Sequence, residues 1–270
     1  MRNILITLIF LPLLSFAEAN AVVYNVTHDR VISGTLSEKE VSIASISKLM
    51  TIYTVMKSNQ DLNEKLTVTS NKINHTKLNK GMVLTRQELV NMSLVSSDNL
   101  AAVTLSQNYP GGQTQFIRQM NTHSKELGMI HTGFVEPTGL SAMNYSSVSD
   151  IVMLVRAVSV FPIVQEAAQT QRVITNPSIR LPERFKKGKK SRKVVKQPRQ
   201  RSIINNPTSH YFGKEGIVTI KTGFTNAAGF CITMLVNAND QLYNITVLGA
   251  KTKQEREKII KKAMDNIYNI

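Results

Sequence analysis

The sequence contains one cysteine, Cys231, and no tryptophan among its 270 residues. Without a second cysteine the chain has no internal disulfide, so its stability depends on its hydrophobic core. Hydrophobic residues make up 42% of the chain, which is enough for a sizeable core in one or two domains. Cys231 lies between Phe230 and Ile232 in a β-rich run, which favours a packed small side chain over a reactive thiol.

The usual signals of metal sites and histidine-based triads are also missing. None of the five histidines forms a ligand spacing with nearby Cys, Asp or Glu residues. We therefore expect no metal and no cofactor. The chain has no G-x-S-x-G string, the usual setting of a serine nucleophile that works with a histidine.

Long apolar runs are limited to the N-terminus. Arg2 precedes an apolar run at residues 4–14, and Ala17-Glu18-Ala19 has the small-x-small form of a cleavage site. This pattern predicts a signal peptide at residues 1–19 and an exported, periplasmic protein at residues 20–270, soluble or loosely membrane-associated. An uncleaved N-terminal anchor is the alternative.

Acidic residues are scarce: 33 Lys and Arg stand against 18 Asp and Glu, a formal charge of +15. Residues 180–201, here called the basic tract, hold eleven Lys or Arg and one acid, Glu183. Such density predicts an exposed, mobile excursion between two paired strands. It could bind anionic membranes or wall polymers, or be only a solvated loop. The export signal argues against nucleic acid as a natural partner.

Hydrophobic periodicity predicts an α+β chain. Short β-prone segments at residues 21–24 and 30–32 surround a turn, as in a hairpin. Thr85 and Glu88 form the pattern of a capping box that opens a helix. Helical patterns occur near residues 45–56, 85–95, 100–105, 116–127, 149–158 and 254–270. Neighbouring antiparallel strands are predicted at residues 217–221, 230–236 and 241–248, whereas residues 164–179 give no clear pattern.

A hydroxyl and an amine stand three residues apart in Ser45-x-x-Lys48, at the predicted start of a buried helix. That spacing places both side chains on one helix face. A serine hydroxyl needs a nearby base to be a nucleophile, and burial can lower the pKa of a lysine enough to provide one. Taken alone, the pair is more typical of a helix cap followed by a solvated lysine.

Two further motifs follow in the chain. Ser97-x-Asn99 lies between two helical runs, where ordinary capping is the alternative interpretation. Lys221-Thr222-Gly223 lies at the end of a predicted strand. The order of the three motifs resembles the penicillin-recognising serine enzymes, which include the penicillin-binding proteins and the serine β-lactamases.

Two longer strings narrow this resemblance: FVEPTGLS at residues 134–141 and IKTGFTNAAGF at residues 220–230. They are similar to the low-molecular-mass serine D,D-peptidases of the D-alanyl-D-alanine carboxypeptidase family, and most similar to the penicillin-binding protein 7 type of endopeptidase. The resemblance covers about residues 21–265, apart from the basic tract. It implies a β-lactamase-like fold, with an antiparallel sheet flanked by helices beside an all-helical subdomain and the site in the cleft between them.

The resemblance also implies partners and residue roles. Peptidoglycan would be the substrate, and β-lactams would be covalent inhibitors. The implied roles are nucleophile for Ser45, general base for Lys48, proton relay for Ser97, substrate binding for Asn99, Lys221, Thr222 and Gly223, and an oxyanion hole made by the backbone N–H groups of Ser45 and Phe224.

One departure from the family pattern is Ser47, which stands where a threonine usually precedes the lysine. A β-lactamase is the nearest alternative enzyme, but residues 136–140 lack the E-x-x-L-N pattern of class A. A non-catalytic wall-binding protein would be free to lose Ser45 or Lys48. The chain has one helix after the last strand instead of a second β-rich domain, which favours an endopeptidase, although carboxypeptidase activity stays open.

Overall fold

The computed structural model describes residues 19–71, 73–175, 178–179, 202–205 and 216–269. The predicted signal peptide, apart from residue 19, and the basic tract lie outside these ranges. Within them the strands are β1 (Asn20–Asn25), β2 (Arg30–Gly34), β3 (Val41–Ser42), β4 (Lys65–Thr67), β5 (Met82–Thr85), β6 (Tyr145–Ser146), β7 (Arg172–Thr175), β8 (Ser178–Ile179), β9 (Ser202–Asn205), β10 (Ile217–Thr225), β11 (Gly229–Ala238) and β12 (Gln241–Ala250). The α-helices are α1 (Ser47–Lys57), α2 (Arg86–Val95), α3 (Asn99–Gln107), α4 (Gly112–Glu126), α5 (Val148–Val158), α6 (Pro162–Gln169) and α7 (Lys253–Tyr268).

The main sheet has the strand order β10-β11-β12-β1-β2, with every neighbouring pair antiparallel. The predicted N-terminal hairpin supplies β1 and β2, and β1 pairs with β12 so that Val22 lies opposite Thr246. This order leaves β10 at the edge of the sheet. An edge strand has one row of backbone groups that are unpaired within the sheet, and the turn carrying Ser45 lies against β10 at Gly223.

Helices cover both faces of this sheet. Side chains alternate in direction along a strand, and in β11 Cys231 and Leu235 pack into the core around α1 and α5. The intervening Ile232 and Met234 pack against α7 on the other face. Because neither face meets solvent, β11 and β12 are almost continuously apolar or buried. The predicted α+β class with helices on both faces is confirmed.

The helical region surrounds α1. Nine of the eleven α1 residues are buried, because α2, α3, α4 and α5 pack around the helix. The predicted capping box opens α2, with Thr85 accepting from the Glu88 N–H and the Glu88 carboxylate accepting from the Thr85 N–H. Cys231 is fully buried, as expected of a packed small residue.

Two helices differ from the sequence prediction, one in where it starts and one in being absent from the prediction. Helix α4 starts at Gly112, before the predicted residue 116, because a polar first turn carries no apolar signal. Helix α6 went unpredicted, since its eight residues are too few for a clear period; it begins with Pro162, which suits a first helical position.

No single helix in the described ranges is long and apolar enough to cross a bilayer; α5 and α6 reach the required apolar length only as a pair bent by 103°. Beside the basic tract, β7 pairs with β9 so that Thr175 lies opposite Ser202. In the sequence the tract therefore lies between two paired strands, and its predicted exposure and mobility lie outside the described residues.

Candidate active site

The Ser45 hydroxyl lies on a turn that leads into the buried helix. Ala44–Ile46 form a single 3-10 turn, and α1 begins one residue later at Ser47. The sequence pattern predicts Ser45 in the first turn of the helix itself. In the structure it lies instead in the 3-10 turn that precedes α1. Ser45 is partly exposed, whereas Lys48 in the first turn of α1 is fully buried. The Nζ atom of Lys48 lies 2.9 Å from Ser45 Oγ.

Two more oxygens contact the Lys48 amine. Nζ donates to Asn99 Oδ1 at 2.6 Å and to the backbone carbonyl of Thr138 at 2.8 Å. Both oxygens can only accept hydrogen bonds. A neutral lysine amine has two N–H donors and one lone pair, so satisfying both oxygens leaves the lone pair directed at the Ser45 hydroxyl. The geometry therefore suits transfer of the Ser45 proton to Lys48.

The surroundings of Lys48 favour this neutral form. Burial lowers the pKa of Lys48 from its ordinary 10.5 to about 7, against the opposing effect of the negative charges on Glu136 and Asp98. Near neutral pH a substantial fraction of Lys48 is therefore deprotonated. This is the condition that a general base has to meet.

Ser97 and Lys221 form a second pair across the cleft. Ser97 lies between α2 and α3 with a positive φ of 55°, a conformation that a serine rarely adopts. The Nζ atom of Lys221 donates to Ser97 Oγ and to the Thr222 carbonyl, both at 2.9 Å. Burial lowers the pKa of Lys221 well below its ordinary value, and the positive charge of Lys48 lowers it further.

Asn99 links the Lys48 amine to a neighbouring loop. Its Oδ1 accepts from Lys48, while its Nδ2 donates to the backbone carbonyl of Asn74 at 2.8 Å. Asp98 fixes the same loop by accepting from the Thr76 hydroxyl and the Lys77 N–H. No residue pattern indicates the Asn74 contact in advance. A direct bond from Asn99 to the substrate amide stays a prediction.

Strand β10 forms the other wall of the cleft and lies against the Ser45 turn. A Cβ atom at Gly223 would lie 2.8 Å from the Ser45 backbone nitrogen, so any larger residue would push the strand away. The strand continues to Thr225, which corrects the expectation that it ends near Lys221. Thr222 is partly exposed and Phe224 is exposed. The oxyanion hole of the Ser45 and Phe224 N–H groups stays a prediction.

The segment of residues 134–141, here called the Glu136 loop, forms the floor beneath the lysine. Its Thr138 carbonyl accepts from Lys48, and its Pro137 carbonyl accepts from the Thr51 hydroxyl at 2.6 Å. In the sequence these residues contribute to the family resemblance but indicate no function of their own. A backbone carbonyl has no residue-type signal, so the contact to Lys48 was invisible in the sequence.

Within the described residues no group of three or more His, Cys, Asp or Glu side chains could hold a metal ion. That the protein works without a metal or another cofactor stays a prediction. The arrangement that the structure does contain is a nucleophile and base pair of serine and lysine, placed in a cleft between an antiparallel sheet and a helical region. Such a site can form an acyl-enzyme.

Comparison with known proteins gives the same class. The family model described as D-alanyl-D-alanine carboxypeptidase matches residues 13–252. The D-alanyl-D-alanine endopeptidase of Escherichia coli is 33% identical over 247 residues, which are 87% of this chain and 72% of that protein. The protein of the same name in Pseudomonas aeruginosa is 32% identical over 239 residues, with the same two coverages.

Solved structures agree on the fold. Penicillin-binding protein D2 of Listeria monocytogenes in its ampicillin-bound form has a TM-score of 0.76 at 25% identity, over 94% of this chain and 99% of that one. A DD-transpeptidase from Streptomyces K15 has a TM-score of 0.78 at 19% identity, over 96% and 100% of the two chains. The second likeness concerns the fold alone.

Fold and site together define a serine peptidase of the penicillin-recognising class. The chain belongs to the D-alanyl-D-alanine carboxypeptidase family. The predicted family and fold are thereby confirmed, and the alternatives of a β-lactamase and a non-catalytic wall-binding protein gain no support. The chemical roles of the individual side chains remain predictions.

Proposed function

We propose that this protein hydrolyses the peptide bond after D-alanine in peptidoglycan through an acyl-enzyme on Ser45, with cross-links between stem peptides as its main substrate. The observation that carries the proposal is the position of Lys48 Nζ, which two acceptor oxygens hold 2.9 Å from Ser45 Oγ. Buried and with a pKa of about 7, this amine can take the serine proton at neutral pH.

Acylation begins when Ser45 Oγ attacks the D-alanine carbonyl carbon and Lys48 takes the hydroxyl proton. Negative charge develops on the carbonyl oxygen, where the N–H groups of Ser45 and Phe224 stabilise it. The C–N bond then breaks. Ser97 passes a proton to the leaving amine and takes its replacement from Lys48, which is neutral again before deacylation, while Lys221 donates to the Ser97 hydroxyl at 2.9 Å and orients it.

Deacylation repeats these steps with water as the nucleophile. Lys48 takes a proton from the attacking water, the bond between the acyl carbon and Oγ breaks, and Ser45 recovers its proton. A β-lactam would stop before this stage, because its amine remains attached to the acyl group after ring opening. Glu136 could not act as a dedicated deacylating base, since its carboxylate already accepts bonds from the N–H groups of Thr138 and Gly139.

Lys221 and Thr222 would recognise the substrate's carboxylate. The Lys221 amine is buried at the cleft wall, and among the described residues it contacts a hydroxyl and a carbonyl. An anionic group of the substrate would supply the missing counter-charge and favour the protonated amine. Edge strand β10 leaves backbone groups free for an extended peptide, and Gly223 allows this peptide to approach the Ser45 turn.

A preference for cross-links is supported by three relatives above 30% identity, all of which are described as D-alanyl-D-alanine endopeptidases. A relative named D-alanyl-D-alanine carboxypeptidase, from Bacillus subtilis, is 24% identical to this chain. The test is digestion of purified sacculi, with the released fragments identified by mass. We expect conversion of cross-linked dimers to monomers, and no conversion by Ser45→Ala. Loss of terminal D-alanine without loss of dimers would instead establish a carboxypeptidase.

We further propose that the protein is exported to the periplasm and that the basic tract holds it near anionic membranes or wall polymers. The support is the N-terminal pattern and the charge density of residues 180–201. Each Lys or Arg near an anionic surface contributes about 1 kcal/mol, and salt screens the effect.

The tract is tested by replacing Lys186, Lys187, Lys189 and Lys190 with glutamine. Binding to vesicles containing anionic lipid, or to sacculi, should weaken at low salt, while acylation of Ser45 by a fluorescent penicillin stays unchanged. The matched control replaces four exposed lysines on α7, namely Lys253, Lys258, Lys261 and Lys262. An equal loss in both variants would show that net charge alone matters, and a loss of acylation would place the tract in the cleft wall.

A further inference from the structure

The Glu136 carboxylate is occupied entirely by its own loop. One oxygen, Oε2, accepts from the Thr138 N–H at 2.7 Å and the Thr138 hydroxyl at 2.6 Å. The other, Oε1, accepts from the Gly139 N–H at 2.6 Å and the Ser141 N–H at 3.3 Å. Four donors thus converge on one side chain, which fixes the backbone of the following five residues.

The other end of the Glu136 loop is fixed by Asn144. Its Oδ1 accepts from the N–H groups of Val135 and Glu136, and its Nδ2 donates to the Glu136 carbonyl at 2.8 Å. Asn144 is fully buried. With its backbone bound by Asn144 and its carboxylate bound by the loop, Glu136 has little freedom to move.

The Glu136 loop meets the catalytic elements in three places. The Thr138 carbonyl accepts from Lys48 Nζ at 2.8 Å, and the Pro137 carbonyl accepts from the Thr51 hydroxyl in the next turn of α1. Gly139 has a φ of +83° and lies so close to the Ser45 turn that an added Cβ atom would be 1.8 Å from the Ala44 carbonyl oxygen. A displacement of this loop would therefore reach both the base and the nucleophile.

The charge of Glu136 also acts on Lys48. Three ionisable groups face the Lys48 amine from different elements: Glu136 in its loop, Asp98 before α3 and Lys221 on β10. The positive charge of Lys48 lowers the pKa of Lys221, and the two carboxylates oppose the effect of burial on the pKa of Lys48. Burial without these carboxylates would lower the pKa of Lys48 further and weaken it as a base.

We propose that Glu136 is a positioning residue for Lys48, which holds the Thr138 carbonyl against the lysine amine and places a fixed negative charge beside it. This inference rests on the proposed function, since it concerns the same acylation step. It assigns a role to a residue outside the three motifs, and this role differs from water activation because the carboxylate has no free lone pair directed at the acyl group.

The test is Glu136→Gln, which keeps the size of the side chain, removes its charge and replaces one acceptor oxygen with a donor. The measurement is the second-order rate constant of acylation by a fluorescent penicillin between pH 5.5 and 10. We expect the rising limb to shift to lower pH by about one unit, as for loss of a neighbouring opposite charge. The alkaline plateau should fall roughly tenfold, because the Thr138 carbonyl is no longer held in place.

Asp150→Asn is the matched control. Asp150 is also a buried carboxylate that binds a loop, since it accepts from the His131 N–H at 2.8 Å and the Thr132 hydroxyl at 2.7 Å. It does not contribute to the pKa shift of Lys48. We expect this variant to lose thermal stability while the position of its rising limb stays that of the parent.

Three outcomes separate the explanations. A Glu136→Gln limb at the parental pH, with or without a lower plateau, would show a structural role only and overturn the inference. If this variant does not fold, Thr138→Val provides the test: it removes one donor but keeps the charge, so the plateau should fall at least threefold without a shift of the limb, and an unchanged plateau would overturn the inference. A parent that penicillin does not label at Ser45 would instead contradict the proposed function.

Discussion

The two walls of the cleft each carry a lysine bound to a serine, in different electrostatic surroundings. On the helical wall Lys48 lies 2.9 Å from Ser45 Oγ, and on the strand wall Lys221 lies 2.9 Å from Ser97 Oγ. Both lysines are buried. The negative charges of Glu136 and Asp98 raise the pKa of Lys48. Among the described residues, the charge that acts on Lys221 is the cation of Lys48, which lowers its pKa.

Because their surroundings differ, the two serine and lysine pairs serve two purposes, proton transfer and substrate recognition. Two fixed carboxylates keep the pKa of Lys48 at about 7, so that it can exchange a proton near neutral pH. Within the part of the chain that the structure describes, no carboxylate acts on Lys221 in this way, and a buried lysine without a counter-charge favours any anion that enters the site. The helical wall therefore performs the proton transfer, and the strand wall recognises the substrate.

The largest expected effect follows removal of the amine from the helical wall. Lys48→Met keeps an unbranched side chain of similar length but has no base for Ser45. Acylation by penicillin should fall about 10²–10⁴-fold, measured by stopped-flow with a fluorescent substrate. Circular dichroism should show an intact fold; acylation at the parental rate in a folded variant would mean that another group takes the proton.

A smaller and more selective effect is expected on the strand wall. Lys221→Gln removes the positive charge but keeps a donor for Ser97. Turnover of a peptide with a free terminal carboxylate should fall about tenfold to a hundredfold, in line with a hydrogen bond to a charged group of roughly 1.5–3 kcal/mol. The matched substrate is the same peptide with an amidated terminus, whose turnover should fall much less. Equal losses on both peptides would assign Lys221 to proton transfer or structure.

The smallest effect concerns the contact between the walls. Gly223→Ala places a methyl group 2.8 Å from the Ser45 backbone nitrogen, so β10 has to move by a few tenths of an ångström. We expect acylation to slow by roughly tenfold, because the strand edge and the nucleophile lose their alignment. Gly133→Ala is the control, since the atoms nearest to its methyl group would belong to the Tyr145 side chain, away from the site. Acylation that slows as much in Gly133→Ala would show a general loss of stability.

Much of the site was predictable because its side chains lie on regular elements. The three-residue spacing of Ser45 and Lys48 predicts that their side chains lie on one face of a helix. The capping box at Thr85 predicts the start of the helix that precedes Ser97. The strong β pattern of residues 217–248 fixes the strand that carries Lys221. In each case a local pattern determines the position of a side chain, and the structure brings these positions together.

The remaining parts depend on backbone groups and on loops distant in the sequence. The carbonyls of Thr138 and Asn74 bind Lys48 and Asn99, and any residue type could supply a carbonyl. In the sequence Glu136 is notable only because residues 136–140 do not complete the class A β-lactamase pattern. Its role is not visible there, because its partners are N–H groups that only the folded loop brings together. Tertiary contacts of this kind leave no periodic signal.

The pH dependence of acylation in the unaltered protein tests the central claim most directly. Lys48 must be neutral to accept the Ser45 proton, and its pKa is lowered from 10.5 to about 7 in the folded protein. The second-order rate constant with penicillin, which reports on the free enzyme, should therefore rise with pH along a limb centred near 7 and reach a plateau below pH 9. A limb centred near 10, where an ordinary lysine titrates, or a rate constant independent of pH would contradict the account.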